Sequence, residues 1–290
     1  MLIAFVGDTH GRVLHTLAIL SEWQIRTKRK LDLIIQVGDL GAYPEPSEEV
    51  RNEKYVRQDP AELDFSRFLM AEEMLEKSIR YIRRKYLNRI YFIRGNHEDF
   101  DWLNSKRLQA EQGIVNIDPF DLYYYVTDGT IMNEDNLKIA FLGGIQTLTQ
   151  QPKSIDPVAY EKLIQIPPGE IDILITHDAP FGIGTNYHGQ TQGSTLISDL
   201  IGAIKPKYVI AGHYHHMNGP RTFGSTTYLG LNVLVDLRDD GELRRVRPGS
   251  IAVLDTEKNS LNFVTDDWLS SIDKDFDFIC HTEELIKRDN

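Results

Sequence analysis

The feature that most constrains the fold of this chain is its alternation of short, branched apolar runs with longer polar stretches of helical periodicity. This alternation is typical of α/β proteins, in which strands are connected through helices. We therefore predict strands at residues 2–6, 31–37, 90–93, 138–142, 171–176 and 208–211, with further β structure at 226–231, 250–255 and 261–265.

A local turn signal predicts one β-hairpin. Asp128 and Gly129 lie between two apolar runs, residues 122–126 and 130–132. Asp-Gly between such runs is the usual composition of a tight hairpin turn. We therefore expect these two runs to pair with each other.

Two helices are indicated by spacing and capping. Apolar residues recur at helical intervals over residues 63–86, so the longest helix is predicted to follow Pro60. Ser194 is placed to cap a helix over residues 195–204, because a serine hydroxyl accepts a hydrogen bond from the free amides of the first turn.

Composition limits the classes of protein to consider. The 290 residues, 41% of them hydrophobic, suffice for a sizeable core. No run approaches the roughly 18 consecutive apolar residues of a membrane-spanning helix, and residues 2–6 lack the basic flank of a secretory signal. A single cysteine, Cys280, excludes an intramolecular disulfide, so we expect a cytoplasmic location without membrane association.

The chain is acidic, with 32 basic and 43 acidic residues and a formal net charge of -11. This balance argues against a dedicated nucleic-acid binder. Basic runs at residues 26–30, 80–89 and 244–247 are more often solvated surface than phosphate-binding faces. A nucleic-acid partner is therefore left open but not favoured, and the sequence does not determine the oligomeric state.

We interpret residues 1–290 as a single domain with two additions. Residues 42–60, with several prolines and acids, are predicted to form an irregular insertion rather than a linker between domains. Residues 256–290 are predicted to be a C-terminal extension that packs on the domain.

Five polar clusters follow predicted strands, at the positions where α/β folds usually place ligand groups. They are Gly7-Asp8-Thr9-His10, Gly38-Asp39-Leu40-Gly41, Gly95-Asn96-His97-Glu98, Thr176-His177-Asp178 and Gly212-His213-Tyr214-His215. Each cluster alone is more often a helix cap or a hydrogen-bonded turn. Five clusters in this order favour one shared site.

The side chains in these clusters form a donor set for metal ions. They are carboxylates, imidazoles and a carboxamide, which suit Mn, Fe, Zn or similar ions. Asp8 and His10 are two residues apart, as are His213 and His215, so an extended backbone turns both members of each pair to one side. Thiolates are absent from the clusters, which argues against a structural zinc site.

The ordered blocks D-x-H, G-D, G-N-H-[DE], H and G-H-x-H resemble the calcineurin-like metallophosphoesterase superfamily over residues 2–216. The resemblance implies an α/β fold, a four-layer αββα sandwich of two mixed β-sheets flanked by helices. It also implies a metal-dependent phosphoric ester hydrolase that contains two divalent ions (Mn, Fe, Zn or Mg). Its substrate is then a phosphate ester, attacked by a hydroxide that bridges the ions.

The resemblance, carried over position by position, implies two ligand sets that share one bridging carboxylate: Asp8, His10, Asp39 and His215 for one ion, and Asp39, Asn96, His177 and His213 for the other. Asp39 is then catalytic together with His97, which occupies the position of a general acid or charge stabiliser near the leaving-group oxygen. Glu98 and Asp178 are candidate partners that orient neighbouring histidines.

The class of phosphate ester is open at this point. Residues 94–98 resemble the R-G-N-H-E block of serine/threonine protein phosphatases, in which the arginine binds phosphate; the alternative is that Arg94 pairs with an acid at the strand end. Residues 38–43 lack the G-D-x-x-D-R continuation of those enzymes, and residues 177–213 resemble phosphodiesterase branches. We favour a phosphodiesterase over a phosphomonoesterase or a protein phosphatase.

Two further histidines are candidate substrate contacts. His188 lies, with Tyr187, in a glycine-rich loop over residues 182–193 that is placed to cover the site, and His216 follows the last ligand pair. Both are equally compatible with surface roles. Two other functions stay open: a nuclease that uses the basic runs, and a non-catalytic scaffold, which is disfavoured because every ligand position is intact.

Overall fold

The structure, a computed structural model, describes residues 1–58, 60–184, 188–235 and 244–289. The strands in these ranges are β1 Leu2–Val6, β2 Leu33–Gln36, β3 Ile90–Phe92, β4 Ile114–Asn116, β5 Tyr123–Val126, β6 Ile131–Glu134, β7 Leu137–Leu142, β8 Ile173–Thr176, β9 Tyr208–Ala211, β10 Asn218–Phe223, β11 Thr226–Gly230, β12 Ile251–Asp255 and β13 Ser260–Phe263. The α-helices there are α1 Val13–Thr27, α2 Glu48–Arg51, α3 Lys54–Gln58, α4 Asp64–Leu69, α5 Glu73–Lys85, α6 Phe100–Arg107, α7 Pro157–Ile164, α8 Thr195–Ile204 and α9 Phe278–Asp289. Short 3-10 helices are found at Pro60–Leu63 and Asp267–Ser271.

The strands form two mixed sheets. The first has the order β13-β12-β1-β2-β3-β5-β4, in which β1, β2, β3 and β5 are parallel neighbours. The second has the order β10-β11-β9-β8-β7-β6, with β11, β9, β8 and β7 parallel. Antiparallel strands close both edges of each sheet.

The side chains of β1 show how the layers are built. Leu2, Ala4 and Val6 point into a core shared with helices, whereas Ile3 and Phe5 point into a core shared with the second sheet. This division follows from the two-residue period of a strand that is buried on both faces. The opposite face of the second sheet packs on α7 and α8. The fold is therefore the α/β, four-layer αββα sandwich of two mixed sheets that the resemblance implies.

The predicted strands are confirmed. Those at residues 2–6 and 208–211 have the predicted bounds, and the others differ by no more than two residues at either end. The predicted helix over residues 195–204 is also confirmed, and Oγ of Ser194 accepts a hydrogen bond from the amide of Ile197 at 3.2 Å.

The predicted hairpin at Asp128 and Gly129 is wrong. β5 belongs to the first sheet, where it pairs with β3 and β4, and β6 belongs to the second sheet, where it pairs with β7. The turn is instead a crossover between the sheets, anchored by a 2.7 Å contact between Arg94 Nε and Asp128 Oδ2. Asp-Gly provides the tight turn, but long-range contacts decide which strands pair.

The single long helix predicted after Pro60 is also wrong. The chain forms a 3-10 helix, then α4, and then α5, with a break at which Met70 is exposed and Glu73 has a φ of 46°. Within the described ranges the longest α-helix is α1, which the sequence analysis did not identify. Residues 13–24 of α1 are all buried, so this helix lacks the one-sided apolar pattern of a surface helix.

Both additions to the domain contain regular structure. Residues 42–60, which were predicted to be irregular, include α2 and α3. Beyond residue 256, β13 extends the first sheet and α9 packs on α1 and α5. None of the helices in the described ranges combines the length and apolarity that crossing a membrane requires.

Candidate metal centre

The five polar clusters meet at one edge of the sandwich. Parallel strands bring the carboxyl ends of β1, β2 and β3 together in the first sheet, and those of β8 and β9 in the second. Hydrogen bonds join the two sets: the amide of His213 donates to Asp8 at 3.0 Å, and Nδ1 of His177 lies 3.0 Å from the carbonyl oxygen of Val37. The site therefore spans both sheets.

The loops that carry these side chains are tightly wound. The φ angles lie between 43° and 70° at four of these residues: His10, Asp39, His213 and His215. This region costs residues other than glycine roughly 1–3 kcal/mol each. A Cβ on Gly212 would lie 2.2 Å from Oδ1 of Asp8, so only glycine permits that approach. Such strain is typical of functional sites.

Four ligand atoms form the first group. Asp8, His10, Asp39 and His215 each offer one donor, and these donors all lie within 4.8 Å of one another. Nε2 of His10 is 3.1 Å from Nε2 of His215, which is 3.1 Å from Oδ2 of Asp8. Oδ2 of Asp39 is 3.8 Å from Nε2 of His10.

Asp39 is shared with a second group. Asp39, His177 and His213 also offer donors that lie within 4.8 Å of one another. Oδ1 of Asn96 is 3.1 Å from Nε2 of His177, which brings the carboxamide into the same group. The structure thus brings together all seven residues that the sequence analysis assigned to metal.

The donors fit divalent cations. Asp8 and Asp39 are each only 1% exposed, and Oδ2 of Asp39 is buried without a hydrogen-bond partner among the described residues. Nε2 of His10 and Nε2 of His215 point at each other, as two ligands of one ion would. Buried carboxylates require a positive charge nearby, and this oxygen and nitrogen donor set suits first-row divalent ions.

The histidines respond to the same buried carboxylates. Burial acts to lower the pKa of His10, but the hydrogen bond to Glu62 and the charge of Asp39 outweigh it and raise the pKa to about 9. Burial likewise opposes the charge of Asp39 at His177, and the net pKa rises to about 10. For Asp39, burial favours a higher pKa, but His177 and the other histidines hold it well below its usual range. Without metal, protons on these histidines supply the positive charge.

His213 behaves in the opposite way. Its burial, together with the charge of His177, lowers the pKa of His213 to about 4. A neutral imidazole offers the lone pair that a metal ligand needs. For His177, a hydrogen bond fixes the tautomer. Its Nδ1 donates to the carbonyl of Val37, which leaves Nε2 directed at the centre.

A family profile decides the class of protein. The profile described as calcineurin-like phosphoesterase (Metallophos) matches residues 1–217. The chain belongs to this family. It is therefore a metal-dependent phosphoric ester hydrolase, which argues against the non-catalytic scaffold.

Individual relatives show how far the likeness extends. A lariat debranching enzyme from Entamoeba histolytica is 27% identical over 271 residues, covering 82% of this chain and 71% of that enzyme. A UPF0046 protein from Caenorhabditis elegans is 35% identical over 68 residues, covering 21% of this chain and 24% of that protein. One crystal structure has a TM-score of 0.53 at 13% identity, covering 90% of this chain and 97% of that chain, and this likeness concerns the fold alone.

The proposed general acid of this calcineurin-like phosphoesterase lies at the mouth of the centre. The side chain of His97 is 34% exposed, and its ring centroid is 5.2 Å from that of His10. The amides of Asn96 and His97 donate to Oδ1 of Asp39 at 2.6 and 2.8 Å. His97 is thus fixed to the shared carboxylate by its backbone, while its imidazole lies beside His10 and is partly exposed.

The two carboxylates that are candidates for orienting histidines accept hydrogen bonds from backbone amides. Glu98 accepts hydrogen bonds from the amides of Leu40 and Ala42 at 2.9 and 2.7 Å, and burial together with the charge of Asp39 raises its pKa to about 8. Oδ2 of Asp178 accepts from the amide of Gln146 at 2.8 Å. Both carboxylates thus satisfy backbone amides. Burial raises the pKa of Asp178 and the charge of His177 opposes this, so a role of these carboxylates beside the histidines stays a prediction.

Arg94 pairs with an acid, which is the second of the two roles that the sequence left open for it. Its Nε lies 2.7 Å from Asp128, and its two terminal nitrogens donate to the carbonyls of Pro152 and Ser154 at 2.9 and 2.7 Å. The residue is 8% exposed. The hydrogen bonds of its guanidinium therefore go to other parts of the protein.

The remaining candidate contacts lie in and beside the glycine-rich loop. His188 is exposed, whereas Tyr187 lies outside the described residues. Nδ1 of His216 is 2.8 Å from the carbonyl oxygen of Tyr214, and Nε2 is 3.4 Å from Nδ2 of Asn218. His216 is thus held by its own loop and by the first residue of β10.

One residue at the centre, Glu62, was not indicated by any motif in the sequence. Oε1 of Glu62 lies 3.2 Å from Nδ1 of His10, and Glu62 is 5% exposed. Glu62 belongs to none of the five clusters and is separated from His10 by 52 positions. The one local signal is an acid just after Pro60, which is ordinary in the first turn of a helix.

Proposed function

We propose that this calcineurin-like phosphoesterase hydrolyses a phosphodiester at a centre of two divalent ions. In this proposal Asp39 would be a ligand shared by both ions. Asp8, His10 and His215 would complete one ligand set, and Asn96, His177 and His213 the other. The observation that carries it is the membership of Asp39 in both donor groups.

The bound ions supply charge neutralisation for the phosphoryl oxygens and a lowered pKa for water. The protein supplies orientation and a proton. The amides of Asn96 and His97 hold Asp39 in place, and Val37 fixes the tautomer of His177. As the bond between phosphorus and the leaving oxygen breaks, His97 donates a proton to that oxygen.

The surroundings of Arg94 support a diester over a monoester. A monoester carries up to two negative charges near neutral pH, and a bidentate arginine is the side chain best matched to such a group. Arg94 already donates to Asp128, Pro152 and Ser154. A diester carries a single charge and needs less positive charge beyond the ions. The debranching enzyme among the relatives supports the same choice, because opening a nucleic-acid lariat breaks a phosphodiester.

The test compares bis(p-nitrophenyl) phosphate with p-nitrophenyl phosphate. The chelated protein is reconstituted in turn with Mn²⁺, Fe²⁺, Zn²⁺ and Mg²⁺, and kcat/KM is measured for both esters. We expect a higher kcat/KM for the diester with at least one ion. A preference for the monoester with every active ion would establish a phosphomonoesterase or protein phosphatase instead.

A nuclease is the second candidate, favoured by the lariat debranching relative. The basic run at residues 80–89 gives it little support, because Arg80 pairs with Glu76, and Arg83 pairs with Asp121. A gel-shift assay with single-stranded and branched oligonucleotides decides between them. Binding that weakens steeply with salt supports the nuclease, and no binding at low ionic strength rules it out.

We also propose a single domain for residues 1–290 and a cytoplasmic location. One core contains both Leu2 of β1 and Leu285 of α9, which supports the first point. The free thiol of Cys280 supports a reducing compartment.

A further inference from the structure

Glu62 lies near the Nδ1 atoms of two histidines of the centre. Its Oε1 lies 3.2 Å from Nδ1 of His10 and 3.9 Å from Nδ1 of His97. Donor atoms of these three residues all lie within 4.8 Å of one another. The carboxylate of Glu62 therefore lies near Nδ1 of a candidate metal ligand, His10, and near Nδ1 of the candidate general acid, His97.

The backbone holds Glu62 in this position. A Cβ on Gly11 would lie 2.2 Å from the carbonyl oxygen of Glu62, and φ of Gly11 is 80°, so the two segments touch where only glycine fits. The residues that follow anchor the other side, because Phe65 and Phe68 of α4 are fully buried in the core next to α1. Contacts on both sides therefore fix the segment that carries Glu62.

One oxygen of this carboxylate is unused. Oε2 of Glu62 is buried and has no hydrogen-bond partner in the described part of the chain. A buried carboxylate oxygen is normally satisfied, so a missing partner calls for an explanation. The imidazole of His97 is 34% exposed, and catalytic hydrogen bonds often tighten only when substrate is bound. Nδ1 of His97, which lies 3.9 Å from the other oxygen, Oε1, is a nearby donor that a small rotation of either side chain would bring to this carboxylate.

We propose that Glu62 is a positioning residue for both histidines. It accepts a hydrogen bond from Nδ1 of His10, which leaves Nε2 of that ring as a metal ligand. It accepts a second from Nδ1 of His97, which points Nε2 of that ring at the leaving-group oxygen. The role at His97 rests on the proposed function above; the role at His10 requires only that the centre binds metal.

The first test measures metal affinity without turnover. Mn²⁺ is titrated calorimetrically into chelated Glu62→Gln, the parent protein, and Glu49→Gln as a control on an exposed acid of α2. We expect one of the two Mn²⁺ sites to weaken by about 10–100-fold in Glu62→Gln, because the neutral amide removes the negative charge that raises the basicity of His10 even where its oxygen still accepts from Nδ1, and we expect the control to match the parent. Unchanged affinity in Glu62→Gln would overturn the role at His10.

The second test uses two diesters that differ in leaving group, at saturating Mn²⁺. A phenolate needs proton donation more than a p-nitrophenolate does, so a misdirected His97 affects the phenyl ester more. We expect Glu62→Gln to lower kcat for the phenyl ester by about 10²-fold and that for the p-nitrophenyl ester by much less. Equal losses on both esters would overturn the role at His97, because a general structural defect lowers both alike.

The number of bound ions separates the remaining outcomes. Three Mn²⁺ per parent chain, falling to two in Glu62→Gln, would make the three residues a cation site and overturn the proposal. If the parent hydrolyses neither diester, the phosphodiesterase proposal and with it the role at His97 are overturned, and the calorimetric titration still decides the role at His10.

Discussion

Asp39 joins the two halves of the metal centre through one side chain. Its Oδ1 accepts from the amides of Asn96 and His97, while its Oδ2 is buried without a partner among the described residues. Its φ of 53° is tolerated better by aspartate than by most residues. Backbone conformation and ligand chemistry therefore select the same residue.

At the residue scale, Asp39→Asn tests the shared carboxylate. The amide oxygen of asparagine can still accept from the two backbone amides, so the fold is retained while the charge between the ions is lost. We expect kcat to fall by about 10³-fold or more, since the ions supply several kcal/mol of transition-state stabilisation. Calorimetry should show weaker binding of both Mn²⁺ ions. Full activity in Asp39→Asn would show that the centre lies elsewhere.

His97→Ala is the complementary variant. Because His97 touches the centre through its backbone amide, which alanine keeps, metal binding should be unchanged. We expect kcat to fall by about 10²–10⁴-fold, the range for loss of a general acid. Steady-state kinetics and Mn²⁺ titration on the same preparation check this. Loss of one Mn²⁺ in His97→Ala would instead make this imidazole a ligand.

Most residues of the centre could be predicted because each follows its strand directly. Asp8 lies two residues after β1 and His213 two residues after β9, so sequence order alone places them at one edge of the sandwich. Glu62 could not be predicted, because it reaches His10 only through the packing of a segment 52 positions away. Contacts of that kind leave no local pattern.

At the element scale, the crossover between β5 and β6 connects the two sheets. Gly143 donates to Oδ1 of Asp128 at 2.7 Å, and Arg94 contacts the other oxygen. The strands themselves were predictable from composition, whereas their pairing was not. The same two runs around Asp128 are compatible with a hairpin until Arg94, 34 positions earlier, fixes the turn between the sheets.

Arg94→Met therefore tests a structural role against a substrate-binding role. The side chains of Arg94 and Asp128 are 10% and 6% exposed, so removing the arginine leaves a buried carboxylate unpaired. We expect the free energy of unfolding to fall by about 3–5 kcal/mol, with KM for the diester unchanged. Urea unfolding and kinetics check both, with Arg107→Gln as a control on an exposed pair. A raised KM with unchanged stability would return Arg94 to the substrate site.

At the scale of the whole molecule, the centre is divided between the sheets. The first sheet carries Asp8, His10, Asp39 and Asn96, and the second carries His177, His213 and His215. Without metal, the carboxylates of the first sheet face histidines whose protons balance them. Metal or protons therefore balance the buried carboxylates at this edge, and the choice between them depends on pH.

This dependence gives the last prediction. In the metal-free protein the pKa of His10 is raised to about 9 and that of His177 to about 10, both above the ordinary 6.5. Between pH 6.5 and these values the folded chain binds more protons than the unfolded chain, so the free energy of unfolding must fall as pH rises. The pKa of Glu98 is raised from an ordinary 4.5 to about 8. This residue therefore also makes the free energy of unfolding fall as pH rises, beginning at lower pH.

Urea unfolding at several pH values, with chelator and with Mn²⁺, measures the effect. His213 does not disturb it, because a pKa lowered to about 4 places its contribution below pH 6.5. Mn²⁺ replaces the protons on His10 and His177, so the fall above pH 8 should be much smaller in the loaded protein. A chelated protein whose stability rises between pH 7 and pH 9 would contradict the pairing of these histidines with Asp8 and Asp39.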